Sequence, residues 1–410
     1  MKELDVLIIG AGAAGCFSAI CASESFGDAK ITILERNSKA LAKVKVSGGG
    51  RCNVTNVISD PAELSKQYPR GGRFLKKAFY QFSSKDMKAW LEQRNISLKL
   101  YPDGCYFPLS NDSQTIIDCF LNEIRKNGID LLLNQRVESV RRLDSGKFEV
   151  KTPEMTFLSR SVIVTTGGQP KISGFGLLKA FDLNIIPPVP SLFTFNMPNE
   201  PVKELMGIVQ ENAIVKIIGE KWSSGGPLLI THWGMSGPAV LKCSAFGARV
   251  LEEKEYRSKI AVNWTGEKNQ EVVREMIRSF VQSNKLVANS SLYRIKTRLW
   301  NYLTEKAGIP AQFKCSELTV KHQNKLLEVL MNDLYSMEGK TTFKEEFVTA
   351  GGIDLNEIHM QTMESKKYPG LFFAGEVMDI DGVTGGFNFQ AAWTTAAIAG
   401  KHVLLKTGEE

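Results

Sequence analysis

The first thirty-five residues constrain this chain more than any other stretch. Val6-Leu7-Ile8-Ile9 is an apolar run long enough for one buried strand. It leads into Gly10-Ala11-Gly12-Ala13-Ala14-Gly15, in the order G-x-G-x-x-G. A segment with Phe17, Ile20 and Cys21 at helical spacing follows, and a second apolar strand, Ile31-Thr32-Ile33-Leu34, ends in Glu35. Each part has a task in holding a dinucleotide. Gly10 permits the tight turn off the strand. Gly12 lacks a Cβ, so a pyrophosphate can approach the backbone, and Ala13 and Ala14 open a helix whose free N–H groups face it. Gly15 lets the helix pack close on the sheet. Glu35 stands 20 residues after Gly15, where a carboxylate accepts a ribose hydroxyl. An ordinary βαβ turn is the competing reading, and the ordered run of strand, turn, helix, strand and acid favours the dinucleotide.

At 410 residues the chain is expected to form two or three domains. With 43% apolar and 23% charged residues it has the composition of a soluble globular protein. A net charge of +7 is mild for this length, and no dense Lys/Arg block stands out, so nucleic acid is not the leading partner. No apolar run approaches the ~20 residues of a membrane span. The start runs directly into a strand carrying Glu3 and Asp5, which does not read as a signal peptide. Seven scattered cysteines without a C-x-x-C pair read as reduced thiols of a cytoplasmic protein. Four scattered histidines offer no metal-ligand spacing.

Further along, Lys43-Val44-Lys45-Val46-Ser47-Gly48-Gly49-Gly50-Arg51-Cys52-Asn53 holds three consecutive glycines, backbone that bends sharply or approaches a ligand. Lys45 and Arg51 offer positive charge to phosphates or to a reduced flavin; the competing reading is a solvated surface loop. Residues 60–130 read as mostly helical, with an apolar face from Thr115 to Ile124. Strands are expected at Leu131–Leu133, Val137–Arg141, Phe148–Lys151 and Ser161–Thr165, the last running into Thr166-Gly167-Gly168. Pro187, Pro188 and Pro190 mark a domain boundary. Short strands at Ala213–Ile218, Leu228–Thr231 and Lys259–Trp264 suggest a small β domain, and Glu271 to about Leu334 reads as helical. After Phe347 the first texture returns: Leu371-Phe372-Phe373-Ala374 ends in Gly375-Glu376, followed by Gly385-Gly386-Phe387-Asn388 and a helix of small residues. Residues 1–187 and 348–410 are therefore expected to share one sheet. Residues 188–347 form the insert, with 188–265 and about 335–347 barrel-like and 266–334 helical.

These pieces resemble the FAD domains of the glutathione-reductase type, with Thr166-Gly167 and Ala374-Gly375-Glu376 at the positions of their later motifs. The segments Ser47–Asn56, Ala374–Asn388 and Thr231–Pro238 resemble, more narrowly, a bacterial family described as NAD(FAD)-utilising dehydrogenases, which includes the bile-acid-inducible flavoprotein and aminoacetone oxidase types. The resemblance spans nearly the whole chain. It implies an α/β fold, a Rossmann-like FAD-binding domain interrupted by a β-barrel-like and helical insert. It places Gly50, Arg51 and Cys52 near the flavin and Glu376 at the ribityl chain. Val137, Gly385, Gly386, Phe387 and Asn388 complete the expected cofactor set. The loop after Gly168 is shorter than the family pattern, running Gln169–Gly176.

Glu35 disfavours a 2′-phosphate by like charge, whereas Arg36 tolerates one or stacks on adenine; with the flavin motifs present, FAD is favoured over NADP. Cys52 lacks a resolving partner at redox spacing, so a structural role is favoured over a catalytic one. His232 and Trp233 are weighed as substrate contacts against ordinary turn residues. No second G-x-G-x-x-G follows a strand: Gly174-Phe175-Gly176 ends in Lys179 where a third glycine belongs. The expectation is FAD-dependent oxidoreduction of a small organic molecule, with the flavin at the interface of the two lobes. The electron donor is open, either NAD(P)H visiting transiently or the substrate itself. The alternative is a flavin-carrying binding or regulatory protein without turnover.

Overall fold

The computed structural model describes residues 2–341 and 348–405. The chain divides into two compact units, Met1–Ser191 with Lys344–Glu410, and Leu192–Phe343. Residues 342–347, part of the expected barrel-like insert, lie outside the described residues.

The first unit is built on a sheet of parallel strands extended by an antiparallel hairpin. Lys2–Ile9 pairs in parallel with Ile31–Leu34 on one side and Thr156–Val164 on the other, and Ile31–Leu34 pairs with Asp130–Leu132. Thr156–Val164 takes two partners along its far edge. Its start pairs antiparallel with Phe148–Lys151, which in turn pairs with Ser139–Arg142, and its end pairs in parallel with Leu371–Phe373. The continuous apolar runs Val6–Ile9 and Val162–Val164 are buried, as strands covered on both faces require.

Helices Ala13–Ser25 and Phe387–His402 cross closely: a Cβ at Gly400 would stand 2.5 Å from the Ser18 carbonyl oxygen. Both are rich in alanine and buried nearly all round, which suits a tight helix crossing. Phe17 joins Trp90, Phe120 and Trp393 in one aromatic cluster, with centroids 5.0 to 5.9 Å from the Phe17 ring. That cluster ties in the helices Ser84–Glu92 and Gln114–Lys126.

One expectation is corrected here. The strand expected at Val137–Arg141 runs Ser139–Arg142, leaving Val137 in the approach loop. Within the mostly helical stretch 60–130, the turn and extended piece at 101–108 fall in two antiparallel strands, Leu98–Leu100 and Cys105–Pro108, which build a small sheet with Thr55–Asn56; the glycine of Asp103-Gly104 takes the left-handed turn position, φ +82°. Gly351 and Gly352 lie inside the strand Val348–Ile353, where a Cβ at either would collide with backbone oxygens at 2.6 and 2.5 Å.

The second unit holds a seven-stranded antiparallel sheet in the order Asp333–Glu338, Arg257–Asn263, Val209–Ile217, Ser223–Thr231, Gly234–Ser236, Thr194–Asn196, Lys340–Thr341. Asp333–Glu338 and Lys340–Thr341 are consecutive in the chain, so one run of backbone joins both edges and the sheet closes as a barrel. Its core includes Val215, Leu228, Ile260, Val262 and Tyr335. Helix Pro238–Glu253, unforeseen in the sequence, packs on the barrel strands. The glycines of Thr231–Pro238 serve this corner: a Cβ at Gly234 would lie 2.1 Å from the Phe195 carbonyl oxygen, and Gly237, φ +90°, caps the helix. His232 is exposed and packs its ring on Trp233. Three further helices, Gln270–Phe280, Thr297–Lys306 and Val320–Met331, form the helical part, and their apolar faces join the same core.

Candidate cofactor site

Strand Lys2–Ile9 delivers Gly10–Gly15 to the C-terminal edge of the parallel sheet, the usual place for a ligand in such sheets. The three fingerprint glycines differ in what surrounds them. Gly10 has φ +106°, and a Cβ there would lie 2.7 Å from the Thr165 carbonyl oxygen. A Cβ at Gly15 would lie 1.8 Å from the Gly10 carbonyl oxygen. At Gly12 a Cβ would meet no protein atom within 4 Å. Gly10 and Gly15 are thus required by the fold, whereas Gly12 faces open space at the start of helix Ala13–Ser25. An open cradle at a helix N-terminus, with Ala13 and Ala14 small beside it, fits a pyrophosphate.

Glu35 is buried at the end of strand Ile31–Leu34. Its carboxylate accepts the Ala11 N–H at 2.9 Å, the Asn37 N–H at 2.9 Å and the Asn37 side-chain amide at 2.7 Å. Charge-assisted hydrogen bonds contribute about 1.5–3 kcal/mol each, so Glu35 fixes the fingerprint loop and retains lone pairs for a hydroxyl. Arg36 is exposed. Val137 is half-buried; two residues before it, the Gln135 N–H donates to the Glu35 carbonyl oxygen at 2.8 Å.

Thr165 was missed in the sequence. Its hydroxyl donates to the carbonyl oxygens of Ile9 and Gly10, 2.9 Å each, and so clamps the turn. Thr166 and Gly167, φ +71°, follow directly. Gln169, also missed, folds back so that its amide donates to the Thr166 and Gly167 carbonyl oxygens at 3.3 and 3.4 Å. A small polar residue at a strand end is the only signal the sequence carries for Thr165. The segment Ile172–Leu178 is a 3-10 helix rather than a second fingerprint.

The C-terminal motif comes to the same edge. Gly375, φ +77°, packs so close to the first helix that a Cβ would lie 2.9 Å from the Ala14 Cβ. The Glu376 carboxylate accepts the Thr349 N–H at 2.9 Å and pairs with Lys43 at 2.9 Å. Lys43, unassigned from the sequence, thus links the glycine-rich loop to the last strand.

Ala42–Gly50 begins helical and breaks at Ser47; Gly48, Gly49 and Gly50 all have positive φ, between +57° and +83°. Gly49 and Gly50 face open space. Lys45 is paired with Asp112 at 3.5 Å, and the Arg51 guanidinium lies 4.4 Å from the Phe107 ring centroid. Cys52 is fully buried with φ +60°, and burial pushes its thiol up to about 12. It is therefore protonated and sequestered, not a redox thiolate. All seven cysteines are buried.

This loop is laced to Gly385–Asn388. The Asn56 amide donates to the Gly385 carbonyl oxygen at 3.1 Å, the Asn53 side-chain amide lies between the Gly386 N–H and the Thr55 carbonyl oxygen, 3.1 Å from each, and Trp393 Nε1 donates to the Val54 carbonyl oxygen at 3.0 Å. Phe387 is buried, and its carbonyl oxygen accepts the Tyr68 hydroxyl at 2.7 Å. The Asn388 side chain exchanges two hydrogen bonds with the Gly382 backbone, 2.8 and 2.9 Å, and so holds its own loop. Among the described residues no His/Cys/Asp/Glu group could hold a metal ion, and no helix is long and apolar enough to cross a membrane.

The sequence matches the family described as HI0933-like protein Rossmann domain over residues 4–402. The chain belongs to that family. It is an FAD-binding Rossmann family of flavoprotein oxidoreductases, and the chain is accordingly an FAD-dependent oxidoreductase. It is 30% identical over 405 residues to the ribosomal RNA dihydrouridine synthase of Escherichia coli, covering 97% of each chain. It is 27% identical over 407 residues to the 3-dehydro-bile acid delta(4,6)-reductase of Clostridium scindens, covering 96% of this chain and 97% of the relative. Among solved structures, the 3-ketosteroid-delta4-(5alpha)-dehydrogenase of Rhodococcus jostii RHA1 is similar with a TM-score of 0.52 at 13% identity, covering 98% of this chain and 97% of that one. That likeness is one of fold.

Proposed function

We propose that the protein reduces a carbon–carbon double bond conjugated to a carbonyl in a small organic molecule, with FAD held by the Gly10–Gly15 turn and the Gly375–Asn388 segment. The observation that carries the cofactor placement is the open space at Gly12, between two glycines that the fold itself requires. The backbone N–H groups at the start of helix Ala13–Ser25 would take the pyrophosphate. Glu35 would accept a ribose hydroxyl and repel a 2′-phosphate, and Glu376 would face the ribityl chain. Val137 and Arg36 would flank the adenosine end. The open backbone of Gly49 and Gly50 would border the flavin. Lys45 and Arg51, held by Asp112 and Phe107, would supply charge from a distance rather than contact.

Bound FAD supplies hydride chemistry. The bond type is supported by the names of two relatives: a delta(4,6)-reductase of a 3-dehydro bile acid and a dihydrouridine synthase both saturate a carbon–carbon double bond conjugated to a carbonyl. Because the proposed substrate accepts electrons, a separate donor must reduce the flavin; NAD(P)H would serve, and its visit would be transient, as no second fingerprint appears among the described residues.

A second reading places the double bond in a uracil of RNA, favoured by the 30% identity to the ribosomal RNA enzyme over 97% of both chains. Anaerobic mixing of the yellow protein with NADH or NADPH should bleach the flavin, and a conjugated cyclic ketone should then restore the colour. Restoration by uridine-containing RNA but by no small ketone would favour the second reading. A flavin left oxidised by both nicotinamides would refute the proposed donor.

A further inference from the structure

We propose that the helical part of the second unit, residues 278–325, is a docking surface for single-stranded RNA. The proposal rests on the second reading above, in which the reducible bond lies in an RNA uracil. The charge of this chain is not spread evenly. Residues 278–325 carry nine Lys/Arg and two Asp/Glu, a net +7. The rest of the chain carries 42 of each sign and cancels. The whole formal excess of +7 therefore sits in one stretch of 48 residues.

Six of these basic residues, Arg278, Lys285, Arg294, Lys296, Lys314 and Lys321, are exposed, and their side-chain cations have no carboxylate partner among the described residues; Glu317 accepts only the Lys314 backbone N–H, at 2.6 Å. Lys306 and Lys325, by contrast, are paired with Asp333 and Glu328. Three of the unpaired six are brought together by the fold. Leu286 and Lys314 form an antiparallel bridge, and the Cys315 N–H donates to the Lys285 carbonyl oxygen at 2.9 Å. Lys321 precedes His322, whose ring packs on Phe313, 5.7 Å between centroids. Leu286 and Val320 beside them are 41% and 71% exposed.

Unpaired cations interleaved with part-exposed rings suit a phosphate backbone and unstacked bases. An ordinary solvated face carries both signs, as the rest of this chain does. An anionic membrane would need an apolar helix face to insert. Here Val273, Ile277, Leu299, Leu303, Leu326 and Leu330 are spent in the core of the unit.

The test uses the full-length, FAD-loaded protein and a labelled oligouridylate of about 20 nucleotides, followed by fluorescence anisotropy over a salt series. Binding should weaken linearly in log–log form with salt, by about 0.7 per phosphate engaged. Lys285→Glu/Lys314→Glu/Lys321→Glu should lower affinity at least about tenfold and flatten the slope by about two. The milder Lys→Gln triple at the same positions should fall between. A matched control of equal net charge, Lys76→Glu/Lys77→Glu/Lys85→Glu in the first unit, should stay within about twofold of the parent. Flavin absorbance and melting temperature should be unchanged in all three. Absence of salt-dependent RNA binding, equal loss in both charge-reversed triples, or tighter binding to phosphatidylserine vesicles than to RNA would overturn the docking surface. RNA that binds through these lysines but never reoxidises the reduced flavin would instead sink the uracil reading and leave the surface standing.

Discussion

Replacing Gly15 with alanine sets a Cβ 1.8 Å from the Gly10 carbonyl oxygen and 2.6 Å from Thr165 Oγ1. Neither atom is free to move, because Thr165 Oγ1 clamps the Ile9 and Gly10 carbonyl oxygens at 2.9 Å. Ordinary Cβ contact begins near 3.4 Å, so the helix must retreat by about 1.6 Å. Overpacking costs typically about 1–3 kcal/mol, and a shift of that size places Gly15→Ala at about 3 kcal/mol. Gly12→Ala meets no protein atom within 4 Å and sits at φ −82°, which alanine adopts freely. Its stability should stay within about 0.5 kcal/mol of the parent. The added methyl would, however, occupy the space proposed for the pyrophosphate. Losing two charge-assisted hydrogen bonds there costs about 3–6 kcal/mol, a fall in FAD affinity of at least about a hundredfold. Urea unfolding of the apoproteins measures the first effect, and calorimetric FAD titration measures the second. A Gly12→Ala protein that binds FAD as tightly as the parent would refute the placement, and a Gly15→Ala protein of unchanged stability would refute the packing argument.

Cys52, buried and with its thiol pushed up to about 12, should resist iodoacetamide in the folded protein at about pH 7 to 9, and Cys52→Ala should keep turnover; labelling that abolishes activity would contradict this. Because that folded value lies above the usual 9.0, the thiol's contribution to stability is complete below pH 9 and is lost as pH rises from there toward 12, which a pH series of urea midpoints for Cys52→Ala against the parent should resolve. Burial pushes the Asp381 carboxyl up while Arg70 pulls it back, so Arg70→Ala should strand a buried acid and cost about 3–5 kcal/mol by urea unfolding; the double variant Arg70→Leu/Asp381→Leu should recover much of it. In the second unit, Asp333 is buried and accepts Trp264 Nε1 at 3.0 Å and the Tyr335 hydroxyl, so Asp333→Ala should cost about 3 kcal/mol from stranded donors, read as a lower unfolding midpoint.

The parallel sheet was legible because its strands are apolar throughout, and Val6–Ile9 and Leu371–Phe373 carry that signal without help from tertiary context. The glycine fingerprint carries both the turn and the separate tasks of Gly10, Gly12 and Gly15, whereas the clamp from Thr165 is not legible, because Thr165 is distant in sequence and placed only by strand pairing. Helix Pro238–Glu253 escaped notice because its small residues, Ala239, Cys243, Ser244, Ala245 and Ala248, give little periodic contrast. Charge points Lys45 and Arg51 toward the cofactor, with the family resemblance adding to it for Arg51, and the sequence does not show that Asp112 and the Phe107 ring lie against them. The motif points Asn388 toward the cofactor, and the sequence does not show that its side-chain amide bonds the Gly382 backbone. The weighting of charge toward residues 278–325 was present in the sequence, but dispersed spacing concealed it until the loops around Lys285 and Lys314 were seen to pair.

The most direct measurement is an anaerobic single turnover. The FAD-loaded protein is reduced by one equivalent of NADPH or NADH and mixed with a conjugated cyclic ketone, and with its saturated counterpart as control. The account predicts reoxidation of the flavin by the conjugated ketone alone, with one product molecule per flavin that has gained two hydrogens by mass. A flavin that stays reduced with every conjugated acceptor, or that is reoxidised equally by the saturated ketone, would contradict it.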